Sequence, residues 1–98
     1  MTFPVVFHEL AERELNEAAA YYALARPGLG EAFLAEVQHA IEALVAAPLA
    51  GRAVDNDIRW WIVRRFPYSL LYRIREDHIR ILAIGHQKRR PFYWRGRR

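Results

Sequence analysis

The sequence of 98 residues contains no cysteine, and Lys88 is its only lysine. The absence of cysteine excludes a disulfide-stabilised scaffold, a thiolate zinc site and a cysteine nucleophile. Its apolar runs are much shorter than the ~18 residues that a membrane-spanning helix requires. The N-terminus has neither the basic start nor the apolar stretch of a signal peptide. We therefore expect a soluble, cytoplasmic protein that contacts no membrane.

The size and composition predict one folded domain over residues 1–98. Hydrophobic residues make up 53% of the chain and charged residues 27%, which is typical of a globular domain and not of a disordered one. His8, His39 and His78 have no metal-ligand spacing, and the sequence contains no glycine-rich phosphate loop. We therefore expect neither a metal nor a cofactor.

The two signs of charge are segregated along the chain. Residues 1–58 carry 3 basic and 9 acidic side chains, a net charge of −6, whereas residues 59–98 carry 12 basic and 2 acidic ones, a net charge of +10. Nearly all the basic residues are arginine, whose planar guanidinium suits phosphate or carboxylate contacts. A small domain with one strongly basic half is expected to bind an anionic partner, most simply a nucleic acid or an acidic protein segment.

Apolar spacing predicts a short strand followed by two helices. The run over residues 3–7 is rich in strand formers. A helical period then extends over residues 8–25 until Pro27 and Gly28, and a second one extends to Pro48. The apolar positions of the two helices are Ala11, Leu15, Ala18 and Tyr22, and then Phe33, Val37, Ala40, Ile41, Leu44 and Val45. The short connector predicts an antiparallel helical hairpin.

Three further strands are predicted at residues 59–66, 69–75 and 78–85. A tight turn at Glu76 and Asp77 predicts the cross-strand pairs Ile74–Ile79, Tyr72–Ile81 and Leu70–Ala83 on one face, and Arg73–Arg80 and Leu71–Leu82 on the other. The predicted order is β-α-α-β-β-β. This is an α+β fold in which a helical hairpin packs on a small, mainly antiparallel sheet.

Four stretches of the sequence carry a family resemblance. They are Phe7-His8 leading into a helix that ends Tyr21-Tyr22; Pro48, Gly51 and Arg52; Arg65-Phe66-Pro67-Tyr68 followed by Leu71-Tyr72-Arg73-Ile74; and Ile79 to Ala83 followed by His86 and a basic segment. Across its whole length the chain resembles the RelE/ParE superfamily of type II toxins. It is most similar to ParE toxins and their plasmid-stabilisation relatives.

The resemblance implies a toxin that inhibits growth and is neutralised by a cognate antitoxin. ParE-type members block DNA gyrase without evident catalysis, whereas RelE-type members cleave mRNA in the ribosomal A site. RelE-type enzymes carry several lysines around the second strand, and some relatives have an arginine where this chain has Ser69. We therefore expect a gyrase-binding toxin; the alternatives are a ribosome-dependent mRNA endoribonuclease and a non-toxic, basic nucleic-acid-binding domain. The expected antitoxin contact is an acidic amphipathic segment that folds on binding.

Candidate site residues follow from these alternatives. An endoribonuclease would use His86 as its acid/base group, because histidine titrates near neutrality, with Tyr93 as a weaker second candidate. The alternative for His86 is a structural role at the end of the last strand. Expected target or phosphate contacts are Arg65, Arg73, Arg80, Lys88, Arg89, Arg90 and Arg95, and expected partner contacts are Trp60, Trp61, Tyr93 and Trp94. Trp60 and Trp61 should point to opposite faces of their strand. The aromatic run Phe92-Tyr93-Trp94 should dock partly on the sheet with its arginines outward.

Overall fold

One strand precedes a helical hairpin, and four further strands follow it. The computed structural model describes residues 3–98; residues 1 and 2 of the predicted domain lie outside the described residues. The elements are β1 (Val5–Phe7), α1 (Glu9–Ala25), α2 (Leu29–Ala46), a 3₁₀ turn (Pro48–Ala50), β2 (Arg52–Asp55), β3 (Ile58–Ile62), β4 (Tyr68–Ile74) and β5 (Ile79–His86). The predicted α+β class and the helical hairpin on a sheet are confirmed.

The strands form one five-stranded sheet in the order β1-β5-β4-β3-β2. β1 is parallel to β5, and the other neighbours are antiparallel. The sheet contains one strand more than predicted, because the four residues of β2 pair with β3 although they include only one strong strand former. The strand predicted over residues 59–66 begins at Ile58 and ends at Ile62, because the chain then turns through Arg65, which has a positive φ of 72°.

The two helices pack closely on each other and on one face of the sheet. His8 caps α1, because its Nδ1 accepts the Leu10 amide N–H at 3.0 Å. Gly30 lies directly against α1, and a Cβ at this position would lie 2.6 Å from the carbonyl oxygen of Ala19. The helices thus form a compact layer over the apolar side chains of β4 and β5. This main core contains Ala11, Ala18, Phe33, Val37, Ala40, Leu44, Val63, Phe66, Leu70, Tyr72, Ile79, Ile81 and Ile84.

A β-bulge changes the register of the β4–β5 hairpin. Near the turn the predicted pairs Ile74–Ile79, Arg73–Arg80 and Tyr72–Ile81 are confirmed. Beyond them the predicted pairs Leu71–Leu82 and Leu70–Ala83 are wrong, because Leu82 is an extra residue in β5. Leu71 therefore lies opposite Ala83, and Leu70 lies opposite Ile84.

The opposite face of the sheet, which we call the far face, is covered by residues 88–98, called the 88–98 segment below. Trp94 from this segment is only 6% exposed and packs in a second core with Leu71, Leu82 and Ala83. Phe92 remains 42% exposed, so the predicted partial docking of the aromatic run is confirmed. The prediction that its arginines point outward is wrong for Arg97, which is only 13% exposed because it bonds Glu14 and the Leu82 carbonyl oxygen. Both faces of the sheet are thus covered, one by the helical hairpin and the other by the 88–98 segment.

Trp60 and Trp61 lie on opposite faces of β3, as predicted. Trp61 packs against the main core under the helices, and Trp60 packs in the far-face core beside Trp94. Within residues 3–98, no helix combines the length and the apolar character that crossing a bilayer demands.

Candidate functional site

Glu14 of α1 anchors the 88–98 segment to the rest of the domain. Its carboxylate accepts two hydrogen bonds from the Arg97 guanidinium, at 2.9 and 3.1 Å, and a third from the Ile84 amide N–H at 3.0 Å. Arg89 lies 3.6 Å from the same carboxylate. The Glu14 side chain is only 12% exposed, so these are charge-assisted bonds in a largely desolvated setting.

Sequence reasoning did not single out Glu14, although a signal was present. Glu14 comes three residues after Ala11 and four before Ala18, and both alanines are buried in the core. A glutamate at this spacing lies at the border of the buried stripe of α1. Such a residue needs a buried partner, and Arg97 provides it.

Tyr93 is held between two arginines and the sheet. The Arg89 guanidinium lies 3.7 Å from the centre of its ring, and that of Arg97 lies 5.1 Å away. Its hydroxyl faces Gly85, where a Cβ would lie 2.9 Å from the oxygen. Burial raises the pKa of Tyr93 well above its ordinary value, and the Glu14 carboxylate raises it further despite the two arginines. The phenol is therefore neutral at physiological pH.

His86, at the end of β5, is bound to the backbone of the residues that follow it. Its Nδ1 accepts the Lys88 amide N–H at 3.0 Å, and its ring packs edge-on against Tyr68. A backbone N–H can only donate, so Nδ1 carries no proton in this arrangement and the neutral ring carries its proton on Nε2. This hydrogen bond caps the turn at the start of the 88–98 segment.

The structure separates the predicted phosphate contacts into groups. Arg65 is on the helix side, 3.8 Å from Glu36 of α2. Arg73, Arg80 and Arg95 belong to the far face. Arg73 pairs with Asp57 at 3.0 Å and Arg95 pairs with Asp55 at 3.2 Å, while Arg80 donates to the main-chain oxygens of Phe7 and Arg98.

Not all of these cations are engaged by the protein itself. Arg65, Arg73, Arg89 and Arg95 have carboxylate partners. Lys88 and Arg90 make no side-chain hydrogen bond or ion pair with residues 3–98, and both are exposed. Four of the seven predicted anion contacts thus have carboxylate partners within the protein, and Lys88 and Arg90 are the ones best placed to bind an anionic partner.

A pocket of about 380 Å³ opens on the far face where the 88–98 segment crosses the sheet; we call it the far-face pocket. Trp60, Ser69 and Leu71 of the sheet and Phe92, Tyr93 and Trp94 of the segment line it, and His86, Arg89 and Arg90 also contribute. Ser69 is only 3% exposed, and neither its Oγ nor the Tyr93 hydroxyl has a hydrogen-bond partner among the described residues. His86 and Tyr93 are thus brought to one pocket, and Arg65 and Arg73 lie outside it.

The helical hairpin presents uncovered apolar side chains on the other side of the domain. Leu24 of α1 is 91% exposed, and Tyr21 and Leu34 are also exposed. The two helices contain seven glutamates and only one arginine, so this apolar surface lies in an acidic setting. Exposed large apolar side chains on a small domain often mark protein interaction sites.

No curated protein sequence gives a significant match to the chain. A family model described as the ParE toxin of the type II toxin–antitoxin system parDE matches residues 5–91. This match identifies the chain as a type II toxin, and because it covers most of the chain, the protein belongs to the ParE toxin family. The predicted resemblance is confirmed.

A solved structure from the chromosomal ParDE toxin–antitoxin system of P. aeruginosa has the same fold. The superposition has a TM-score of 0.75 at 17% sequence identity, and covers 87% of this chain and 96% of the other. At this identity the similarity concerns the fold.

Proposed function

We propose that this toxin inhibits growth by binding an essential target in the cytoplasm, and that it does not cleave RNA. The target that the family resemblance implies is DNA gyrase. The far face and the 88–98 segment would supply the contacts, through the cations that the protein leaves unpaired and the exposed Phe92. The hydrogen bond from the Lys88 amide N–H to His86 is the main observation that favours binding over RNA cleavage.

Cleavage of RNA through its 2′-hydroxyl needs a base to remove a proton and an acid to protonate the leaving oxygen. His86 cannot act as the base in this arrangement, because Nδ1 accepts the Lys88 amide N–H and Nε2 of the neutral ring already holds a proton. A neutral imidazole N–H is also only a weak proton donor. Tyr93 is a poor proton donor and a poor base, since burial raises the pKa of its phenol. The pocket that brings the two residues together thus favours binding.

Substitution of His86 tests this proposal. His86→Asn keeps an acceptor near the Lys88 amide and removes the imidazole, so we expect toxicity close to that of the unchanged protein. Toxicity is measured by growth after induction, together with mapping of mRNA 5′ ends and a gyrase supercoiling assay with purified protein. New ends inside translated codons that disappear in His86→Asn would show cleavage and contradict the proposal. Growth that continues unchanged on induction would favour the non-toxic nucleic-acid-binding alternative.

We also propose that a cognate antitoxin neutralises the toxin, as the ParE family and the ParDE structure suggest. The exposed Tyr21, Leu24 and Leu34 would receive the apolar face of an amphipathic segment, and acidic residues of the same segment would reach the basic sheet. Such a pair is expected to be encoded by adjacent genes and to function in plasmid stabilisation.

Leu24→Asp tests the proposed antitoxin surface. Leu24 is almost fully exposed, so the change should leave the fold and the toxicity intact while weakening neutralisation by the co-expressed neighbouring gene product. Leu49→Asp is the matched control, because Leu49 is also exposed but lies on the 3₁₀ turn, outside the proposed surface. Equal neutralisation of both variants would place the antitoxin elsewhere.

A further inference from the structure

We infer that the far-face pocket binds a nucleotide, with the base against its aromatic side chains and the phosphate on the arginines at its rim. This inference rests on the proposed target surface and deepens it, because Arg90 and Phe92 of the pocket belong to that surface. At about 380 Å³ the pocket falls within the range of about 300 to 1,000 Å³ that is usual for small-ligand sites.

The aromatic lining suits a flat ring. Trp60 comes from β3, and Phe92 and Trp94 come from the 88–98 segment, so aromatic surfaces face the pocket from two independent elements. Phe92 keeps much of its ring exposed although it lies beside Trp94, with ring centres 5.6 Å apart. Stacking on such side chains is the general way in which proteins hold unpaired bases.

The charge at the rim suits a phosphate. Arg89 and Arg90 line the pocket, and none of its described lining residues is acidic. Arg89 also lies 3.6 Å from Glu14, so Arg90 is the better phosphate contact. The Arg90 side chain makes no hydrogen bond or ion pair within residues 3–98, so its guanidinium is available to a ligand. Arginine binds phosphate oxygens through two parallel N–H donors, which adds geometric selectivity to the charge.

Two buried hydroxyl groups in the pocket lining lack a hydrogen-bond partner among the described residues. Buried hydroxyls are nearly always hydrogen-bonded, yet the Ser69 Oγ and the Tyr93 hydroxyl have no partner in the described residues. Ser69 is paired across the sheet with Gly85, and the Tyr93 hydroxyl lies directly over Gly85. Both residues therefore lie at Gly85 in the pocket lining, and we expect a polar atom of a base or ribose to bond the Ser69 Oγ.

The sheet geometry favours a nucleotide over an extended acidic peptide. A peptide bound as an added strand needs a free strand edge. β4 lies between β3 and β5, and where β5 extends beyond its pairing with β1 the Ile84 N–H and the Leu82 carbonyl oxygen are bonded to Glu14 and Arg97. A nucleotide needs no strand edge, and combines a planar ring, hydroxyl groups and an anion in one compact unit.

Fluorescence titration tests the inference, since two of the three tryptophans of the chain line the pocket. We expect saturable quenching by AMP and about tenfold weaker binding of adenosine, which lacks the phosphate. Inorganic phosphate alone should displace AMP only weakly. Titration with a single-stranded oligonucleotide shows whether the natural ligand is a free nucleotide or part of a strand. Tighter binding than AMP would identify a polynucleotide strand, and equal or weaker binding would identify a free mononucleotide.

Substitutions inside and outside the far-face pocket test whether AMP binds there. Arg90→Ala should weaken AMP binding about five- to tenfold and Ser69→Ala a few-fold, with unfolding curves like that of the unchanged protein. Arg75→Ala is the matched control: Arg75 is an exposed arginine just beyond the opposite end of β4, outside the pocket. The inference is overturned if millimolar AMP causes no saturable quenching, if Arg75→Ala weakens binding as much as Arg90→Ala, or if only an acidic aromatic peptide binds. Growth inhibition is scored separately, so failure of nucleotide binding leaves the proposed toxin mechanism standing.

Discussion

Glu14 and Arg97 are 83 positions apart in the sequence and form a bidentate ion pair, with N–O distances of 2.9 and 3.1 Å. Their side chains are only 12% and 13% exposed, respectively. Arg97 also donates to the carbonyl oxygen of Leu82, so the guanidinium joins α1, β5 and the 88–98 segment at one point. The segment that carries the proposed target surface is therefore held in place by a residue of the helical hairpin.

The first prediction concerns Glu14. Glu14→Ala should lower the free energy of unfolding by about 3 kcal/mol, because it leaves the Arg97 charge without its partner in a mostly buried position. Urea unfolding followed by circular dichroism measures the change. Glu17→Ala, an exposed glutamate on the same helix, is the control and should cost less than about 0.5 kcal/mol. Equal losses in the two variants would show that the ion pair does not anchor the segment.

The second prediction concerns Gly51, which precedes β2. A Cβ at Gly51 would clash with the Tyr72 hydroxyl, which donates a hydrogen bond to the carbonyl oxygen of Pro48 at 2.6 Å. Gly51→Ala should therefore displace Tyr72 from this bond and cost about 2 kcal/mol of unfolding free energy.

A double-mutant cycle checks the cause of that loss. In a Tyr72→Phe background the clashing hydroxyl is absent, so Gly51→Ala should cost measurably less than in the unchanged protein. Additive losses would locate the strain away from the hydroxyl of Tyr72.

The third prediction is a pH dependence that arises from Tyr93. Burial first, and then Glu14, raise its pKa in the folded protein, so the folded state keeps the proton at pH values where the unfolded state loses it. Stability should be unaffected by this group below the ordinary tyrosine pKa of about 10 and should fall as the pH rises above that value. Thermal unfolding between about pH 9 and about pH 11 measures this loss.

Tyr93→Phe removes the ionising group, so this variant should lose less stability over the same alkaline range. Tyr21→Phe is the control, because Tyr21 is exposed on α1. If the Tyr93→Phe protein is destabilised by alkali as strongly as the unchanged protein, the effect must come from another residue.

The fourth prediction concerns the far-face core. Trp94→Ala should cost about 3 to 5 kcal/mol, because the ring is almost fully buried between the sheet and the 88–98 segment. Phe92→Ala should cost less than about 1 kcal/mol, since much of its ring is exposed. Chemical unfolding of both variants gives the comparison, and similar losses would mean that the segment does not form a second core.

Local sequence signals predicted most of the architecture. The helical period ending at Pro27 and Gly28, and the alternation around Glu76 and Asp77, indicated the hairpin and the last two strands. They are reliable because they report contacts between residues close in the chain. β2 could not be predicted because its four residues include only one strong strand former. The bulge at Leu82 could not be predicted because no residue type or spacing near it indicates a change of register.

Periodicity, motifs and composition were sufficient to predict the fold class, the family resemblance and the separation of acidic and basic halves. The internal partners of the cations could not be predicted in this way, because Glu14, Asp55 and Asp57 are distant in sequence from the arginines they bind and meet them only in the folded chain. The tertiary structure also decided that the 88–98 segment covers the second face of the sheet and forms a pocket there with Ser69 and Trp60. Composition gives the number of charged and apolar side chains, whereas long-range packing determines which of these side chains remain exposed to a partner.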